Sequence, residues 1–136
     1  MDCPVCKMPM IILELNEVEI DHCLSCSGIW LDSGELELLI VDELEREKII
    51  SSFQLDEENS EKRYKCPVCK RKMNKMFVGK RKELLIDKCP DNDGLWFDGG
   101  ELKALLKLGE KDNKVVELLN NLFATNLNNN QSGESL

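Results

Sequence analysis

The sequence has few aromatic residues and no long apolar run. Phe, Trp and Tyr make up 5% of its 136 residues, which excludes a large aromatic core. No stretch of 18 uncharged apolar residues occurs, and no basic segment followed by an apolar one opens the chain. Charged residues account for 32% and hydrophobic residues for 42%, a composition typical of a folded protein. We therefore expect a soluble, cytoplasmic protein with no membrane contact.

Histidine is nearly absent, with one residue, whereas there are seven cysteines. In a reducing cytosol, cysteines in paired spacings favour metal binding over disulfides. The odd number agrees with this interpretation, because disulfide pairing would leave one thiol over.

The net charge of −8 is unevenly distributed. Residues 1–60 carry 15 acids and 3 bases, for a net charge of −12, and residues 61–90 carry 3 acids and 11 bases, for +8. Residues 91–136 carry 8 acids and 4 bases, for −4. Such asymmetry indicates that the parts face different partners, or each other.

The chain contains one series of motifs twice. A Cys-Pro-Val-Cys-Lys string begins at Cys3 and again at Cys66. A Gly-x-Trp-x-Asp-x-Gly-Glu-Leu string begins at Gly28 and again at Gly94. The offset is 63 residues for the first string and 66 for the second, so the second copy has three extra residues in between. This duplication predicts two homologous lobes.

Each copy predicts the same local structure: a cysteine turn, a β-hairpin, a second turn, a short strand and a helix. Asp32 and Asp98 come just before the helices, where we expect each to accept hydrogen bonds from the helix N-terminus. We expect the glutamates three residues later, Glu35 and Glu101, to reach back toward the aspartates. The predicted helices run from Ser33 to Ser52, from Gly99 to Leu108 and from Lys114 to Leu127.

The first copy encodes a metal site. A Cys-x-x-Cys turn places two sulfur atoms about one metal ion apart, and a hairpin can bring a second such turn opposite. Cys3, Cys6, Cys23 and Cys26 have this arrangement and predict a tetrahedral zinc site. A similar sulfur cage can hold iron, but nothing in the sequence indicates an electron-transfer partner.

The second copy departs from the pattern. Cys66, Cys69 and Cys89 are present, but the position that matches Cys26 is Asn92, whose neutral amide is a poor zinc ligand. Asp93 is the preferred fourth ligand. Three sulfurs completed by water, Asp91 as the ligand, or a site without metal are the alternatives. With one oxygen ligand, this site should bind zinc less tightly than the first.

Other conspicuous residues have simpler interpretations. His22 matches a lysine in the second copy, so we interpret it as a surface residue or as a neighbour of the metal site rather than a ligand. Trp30 and Trp96 are expected to pack beside the cysteine turns.

These motifs resemble the transcription factor IIB-type zinc-ribbon family of small prokaryotic proteins. The resemblance extends from Cys3 to about Leu39 and from Cys66 to about Leu106. It implies a zinc ribbon followed by a helix, with all seven cysteines as ligands. Related sequences often have a histidine where this chain has Asp93, which favours Asp93 as a ligand. The resemblance does not establish a role in transcription.

The predicted fold class is a small metal-stabilised α+β protein with two tandem zinc ribbons and a C-terminal helix, binding two zinc ions. The domain boundaries follow from the repeats and the polar segments. They are zinc ribbon 1 with its helix at 1–53, a linker at 54–63, zinc ribbon 2 at 64–108, the C-terminal helix at 109–127 and a disordered tail at 128–136.

The preferred functional hypothesis is a non-enzymatic adaptor that acts through protein contacts. Self-association is an open alternative, and the apolar face of the C-terminal helix either binds a partner or packs on its own chain. A second hypothesis is nucleic-acid binding by the basic second lobe, which the acidic chain as a whole opposes. We expect this basic surface to dock on the acidic first lobe. The candidate nucleic-acid contacts are Lys70, Arg71, Lys72, Lys80, Arg81 and Lys82.

Overall fold

The computed structural model describes residues 1–59, 61–108 and 114–122. Within these residues, the strands are β1 Ile11–Leu15, β2 Val18–His22, β3 Ile29–Asp32, β4 Gln54–Leu55, β5 Asn74–Val78, β6 Leu84–Lys88 and β7 Gly94–Phe97. The helices are α1 Glu35–Leu39, α2 Glu43–Ser51 and α3 Glu101–Lys107. Residues 114–122 are helical as well. The predicted α+β class is confirmed.

Among the described residues, one antiparallel sheet of seven strands contains both repeats, which we call lobe one (residues 1–53) and lobe two (residues 64–108). The strand order is β1-β2-β3-β7-β6-β5-β4. At the centre, β3 pairs with β7, so that Trp30 lies opposite Trp96. The two lobes are therefore joined by backbone hydrogen bonds, which the repeat alone did not predict.

The two hairpins have the same register. Leu15 lies opposite Val18 in lobe one, and the equivalent residues Val78 and Leu84 lie opposite each other in lobe two. The three extra residues of the second copy are therefore accommodated in the β5–β6 turn, and the positions of the flanking strands are preserved.

The two faces of the sheet contribute to different buried clusters. The helices cover one face, and Leu36, Leu39, Leu102 and Leu105 are buried there. The apolar face of segment 114–122 joins this core through Val115, Val116 and Leu119. The alternative that this helix packs on its own chain is thus confirmed for these residues.

The predicted single helix from Ser33 to Ser52 is wrong, because two helices occupy this segment. Helix α1 ends at Leu39, and the C-cap residue Ile40 has an extended backbone (φ −92°, ψ 97°) and a side chain buried in the core. Helix α2 restarts after Asp42, whose side chain accepts a hydrogen bond from the Glu45 amide at 2.9 Å. The break lets Ile40 reach the core, and Asp42 supplies a new N-cap.

The predicted linker at 54–63 begins with a strand, because β4 pairs with β5. The third predicted helix is present at 114–122, and its remaining predicted residues 123–127 lie outside the described residues, as does the predicted tail at 128–136. The domain boundaries themselves stay predictions.

Within the described ranges, no helix combines the length and the hydropathy needed to cross a membrane.

Candidate metal centres

The first candidate centre lies where two cysteine turns of lobe one face each other. Cys3 and Cys6 flank the turn before β1, and Cys23 and Cys26 flank the turn between β2 and β3. The Lys7 amide closes the first turn on the Cys3 carbonyl at 2.9 Å, and the Cys6 amide donates to Cys3 Sγ at 3.2 Å. The β1–β2 hairpin brings the two turns together, as the spacing predicts.

The four sulfur atoms form a cluster suited to one tetrahedral ion. All lie within 4.8 Å of one another, and Cys3 Sγ is 3.7 Å from Cys26 Sγ. Zinc–sulfur bonds of about 2.3 Å give a tetrahedron with sulfur–sulfur edges of about 3.8 Å. The two sulfurs of a disulfide would lie about 2.05 Å apart, and all seven cysteines are free. The cluster therefore fits zinc.

The second centre combines three sulfurs with a carboxylate. Cys66, Cys69, Cys89 and Asp93 place their ligand atoms within 4.8 Å of one another. Cys69 Sγ is 3.5 Å from Cys89 Sγ, and Asp93 Oδ2 lies 3.4 Å from Cys89 Sγ and 3.8 Å from Cys66 Sγ. A zinc–oxygen bond of about 2.0 Å beside a zinc–sulfur bond of about 2.3 Å gives an oxygen–sulfur edge of about 3.5 Å. The structure brings the predicted carboxylate to the fourth corner.

A tighter turn explains how Asp93 reaches this corner. In lobe one, the Ser27 amide donates to the Cys23 carbonyl, four residues earlier, and Ser27 has φ 66°. In lobe two, the Asn92 amide donates to the Cys89 carbonyl, three residues earlier, and Asn92 itself has φ 61°. Asparagine adopts this left-handed conformation more readily than most residues. The turn therefore ends one residue sooner, and the residue after Asn92 faces the cluster.

The alternative ligand Asp91 is engaged elsewhere. Its Oδ1 accepts a hydrogen bond from Arg71 Nη1 at 2.6 Å, and its amide donates to Cys89 Sγ at 3.3 Å. The Asp91 carboxylate thus pairs with a guanidinium instead of joining the cluster.

Both clusters need a cation to hold thiolates. Burial raises the pKa of the Cys3 and Cys66 thiols, because surroundings of low polarity disfavour the charged form. Zinc binds thiolate, and its charge compensates for that cost. Because the four ligand atoms come together only in the folded lobe, metal binding is coupled to folding.

A short chain of hydrogen bonds lies beside each cluster. Trp30 Nε1 donates to Asp32 Oδ1 at 2.9 Å, and the Asp32 amide donates to Glu35 Oε1 at 2.6 Å. The prediction that Glu35 reaches back is confirmed. The prediction that Asp32 caps the helix is wrong, because Gly34 is the N-cap residue and the Asp32 carboxylate is occupied by the indole. Lobe two repeats this chain with each residue 66 positions later.

The two tryptophans interlock the lobes. Trp30 and Trp96 are fully buried in one cluster with four of the cysteines, so their predicted place beside the turns is confirmed. A Cβ atom on Gly28 would lie 2.2 Å from Trp96 Cζ2, and one on Gly94 would lie 2.6 Å from Trp30 Cζ2. Each indole therefore packs on a glycine of the other lobe, where a side chain would collide with it.

His22 is a buried neighbour of the first centre, so the surface alternative is wrong. It is 2% exposed, and its Nδ1 lies 3.1 Å from the Gly28 carbonyl oxygen, which also accepts from the Cys23 amide at 3.0 Å. Burial lowers the pKa of His22, which keeps the imidazole neutral at physiological pH. The ring thus supports the second cysteine turn of lobe one.

The basic surface of lobe two forms no ion pair with lobe one in the part of the chain that the structure describes. Each ion pair there joins groups within one lobe or links lobe two to Glu61. The pairs are Lys48–Glu45, Arg71–Asp91, Lys75–Glu61 and Lys75–Asp87. The β5–β6 turn nevertheless contacts lobe one, because the Gly79 amide donates to Ser52 Oγ at 2.8 Å. The expected docking of the basic surface on the acidic lobe stays a prediction.

The candidate nucleic-acid residues lie at the two ends of β5. Lys72 follows the first cysteine turn of lobe two, whereas Lys80, Arg81 and Lys82 lie in the β5–β6 turn at the other end of β5. Lys82 Nζ lies over the Phe77 ring, 5.0 Å from its centroid. Nucleic-acid binding through these residues stays a prediction.

A family model described as a transcription factor zinc-finger, of the zinc-ribbon type, matches residues 2–42 and 65–108. These segments cover more than half of the chain, and each contains one of the two clusters. No curated protein and no solved structure matches the chain. The chain belongs to the transcription factor zinc-finger family, and it contains two tandem copies of that zinc ribbon, each with a cluster that fits zinc.

Proposed function

We propose that the protein is a non-enzymatic zinc-binding adaptor whose first lobe contacts another protein. Eleven large apolar side chains are exposed among the described residues, and eight of them belong to lobe one. Leu38, Val41 and Leu44, at the junction of α1 and α2, are 65%, 70% and 68% exposed. Apolar side chains concentrated on one part of a surface mark interaction sites. The three exposed apolar side chains at the junction of α1 and α2 are the observation that carries the proposal.

The metal clusters support a structural role for zinc. Each offers four protein ligand atoms, which is the arrangement of structural zinc, whereas catalytic zinc keeps one position for water or substrate. Membership of the zinc-ribbon family supports the same role. Thiolate ligation also favours a reducing compartment such as the cytoplasm.

Affinity purification of the full-length protein from its native host tests the adaptor proposal. One variant combines Leu38→Ser, Val41→Ser and Leu44→Ser, and the matched control is Val68→Ser, a 48% exposed residue of lobe two. We expect a partner protein to remain bound to the wild type and to the control after nuclease digestion. The triple variant should lose it while keeping its zinc. Retention by the triple variant, or loss on nuclease digestion, would contradict the proposal.

A second candidate function, nucleic-acid binding, is favoured by one cavity of ≈ 450 Å³ between the first cysteine turns of the two lobes. Lys62 Nζ lies 5.4 Å from the centroid of the Tyr64 ring there. Basic groups around an aromatic ring suit a single-stranded nucleic acid, which offers phosphates and stacking bases. The cavity is lined by Pro4, Val5, Lys7, Lys62, Arg63, Tyr64, Lys65 and Lys72.

Fluorescence anisotropy with single-stranded RNA over a range of salt concentrations tests this second candidate. Replacing Lys65 and Lys72 with Ala should reduce the salt slope by about two, since each removed phosphate contact lowers it by about one. Lys80→Ala with Arg81→Ala is the matched control and should leave the slope unchanged. Absence of binding by the wild type at physiological ionic strength would remove this candidate.

A further inference from the structure

One row of side chains crosses the sheet and ends differently in the two lobes. Its ends, Ile12 and Lys75, are equivalent positions, 63 residues apart. The row lies on the face that holds the tryptophans. From lobe one to lobe two, the paired residues are Ile12, Asp21, Trp30, Trp96, Asp87 and Lys75.

The lobe two end of this row is covered. Strand β4 pairs with the outer edge of β5, and the Asp56 amide donates to the Lys75 carbonyl at 2.9 Å. The Arg63 side chain closes the start of the same edge by donating to Asn74 Oδ1 at 2.9 Å. Under this cover, Lys75 is 7% exposed, and its Nζ lies 2.9 Å from Asp87 Oδ1.

The lobe one end is open. In the described part of the chain, β1 is the outermost strand on its side of the sheet. Ile12 is 67% exposed, compared with 7% for Lys75. Alternate residues of an antiparallel strand direct their amides and carbonyls to the same side. Since the Lys75 carbonyl faces β4, the equivalent groups of Ile12, and those of Glu14 two residues later, face the open edge, where they can template another strand.

The surface beside this open edge is acidic. Glu14 lies opposite Glu19, and Asp21 lies opposite Ile12. In lobe two, Lys75 pairs with Asp87, the residue equivalent to Asp21. In lobe one, Ile12 occupies the position of Lys75, so no lysine stands opposite Asp21 on the neighbouring strand. The N-terminal ammonium of the chain acts on Asp21. The Glu14–Glu19 pair beside the open edge is therefore the part of this surface that attracts a cation from outside the strand.

We infer that β1 is the docking site for an extended, basic segment of a partner protein, which adds to the sheet as an eighth strand. This inference rests on the proposed adaptor function. Strand addition would provide main-chain hydrogen bonds, and a Lys or Arg opposite Glu14 would provide a favourable cross-strand pair. Residues 1–60 carry 15 acids and 3 bases, and this net charge of −12 favours a basic segment over the β1 strand of a second copy.

Titration of a blocked peptide of alternating valine and lysine into the zinc-loaded full-length protein tests the inference by NMR. One control peptide has glutamate in place of lysine. A second control keeps the lysines but carries N-methyl groups on their amides, which preserves the charge and blocks strand pairing. Glu14→Lys is the test variant, and Glu47→Lys, an exposed acid on α2, is its matched control with the same change in charge.

The expected result is a set of amide shifts centred on Ile12 and Glu14. Glu14→Lys and peptide N-methylation should each weaken binding at least about fivefold, and Glu47→Lys should change it less than about twofold. The inference would be overturned if the N-methylated peptide bound as tightly as the unmethylated one, or if Glu47→Lys weakened binding as much as Glu14→Lys. Amide shifts centred away from Ile12 and Glu14 would overturn it as well. So would self-association of the chain that Glu14→Lys abolishes, because the occupant would then be a second copy. The adaptor proposal would survive these outcomes if the triple variant of Leu38, Val41 and Leu44 still lost the partner protein that the wild type captures.

Discussion

Adding one methyl group at Gly28 should break the interlock between the lobes. In Gly28→Ala, the new Cβ would lie 2.2 Å from Trp96 Cζ2. Carbon atoms in contact sit about 3.5–4.0 Å apart, so the two groups must separate by at least about 1.3 Å. Trp96 is fully buried, and its Nε1 is bonded to Asp98 Oδ1 at 2.9 Å. Overpacking costs about 1–3 kcal/mol and a lost hydrogen bond about 1 kcal/mol, which gives an expected loss of about 2–4 kcal/mol.

Chemical denaturation of the zinc-loaded protein measures this loss as a change in the free energy of unfolding. The decisive comparison is a double-mutant cycle with Trp96→Phe, whose smaller ring leaves room for the methyl group. We expect Gly28→Ala to cost at least about 1 kcal/mol less in that background. If the two changes add within about 0.3 kcal/mol, the methyl group does not meet the indole and the reasoning fails.

Three further predictions concern the second lobe. The wild type should bind two zinc ions. A titration with a chromophoric chelator should show that Asp93→Ala releases the more weakly bound ion and that Asn92→Ala keeps both. If Asp93→Ala retains two zinc ions, the fourth ligand lies elsewhere. Lys75→Met should cost about 3–5 kcal/mol in urea unfolding, because the buried Asp87 carboxylate loses its partner, and adding Asp87→Asn should recover most of that loss. Burial raises the pKa of Glu101 from 4.5 to about 7, so the folded state retains a proton that the unfolded chain releases. The free energy of unfolding should then fall as the pH rises from 4.5 through about 7. Glu101→Gln should gain stability relative to wild type over the same interval, and the gain should level off above it; a difference independent of pH from 4.5 to 7 would refute this.

The repeats and their hairpins could be predicted from the sequence because cysteine spacing and apolar alternation are local signals. The pairing of β3 with β7 could not, because it joins residues 62 to 68 positions apart and depends on how the lobes pack. A signal for it was present. Ile29-Trp30-Leu31 is a continuous apolar run, which is typical of a strand buried on both faces and therefore of a central strand.

At the metal centres, the sequence indicated which residue types bind the metal, whereas the backbone conformation determines which side chains reach it. Asp93 was preferred on chemistry, but the turn that presents it depends on the left-handed Asn92, a conformation that the sequence favours without specifying. Asp32 and Asp98 were predicted to cap helices. Each instead accepts a hydrogen bond from the tryptophan two residues earlier in the chain, and the capping pattern does not include that contact. The buried Lys75–Asp87 pair was missed because it depends on the register of β5 and β6.

The antiparallel pairing of β3 with β7 places Trp30 opposite its equivalent Trp96 and makes the flanking pairs reciprocal, Ile29 with Phe97 and Leu31 with Leu95. The junction of the lobes is therefore self-complementary, like the interface of a twofold homodimer. A single ribbon of this type could use the same strand to pair with a separate copy of itself. Joining both copies in one chain replaces that concentration-dependent association with an intramolecular one, at an effective concentration on the order of millimolar. It also removes the requirement that both halves have the same surface. A homodimer must be equally charged on its two sides, whereas this chain combines a net charge of −12 over residues 1–60 with +8 over residues 61–90.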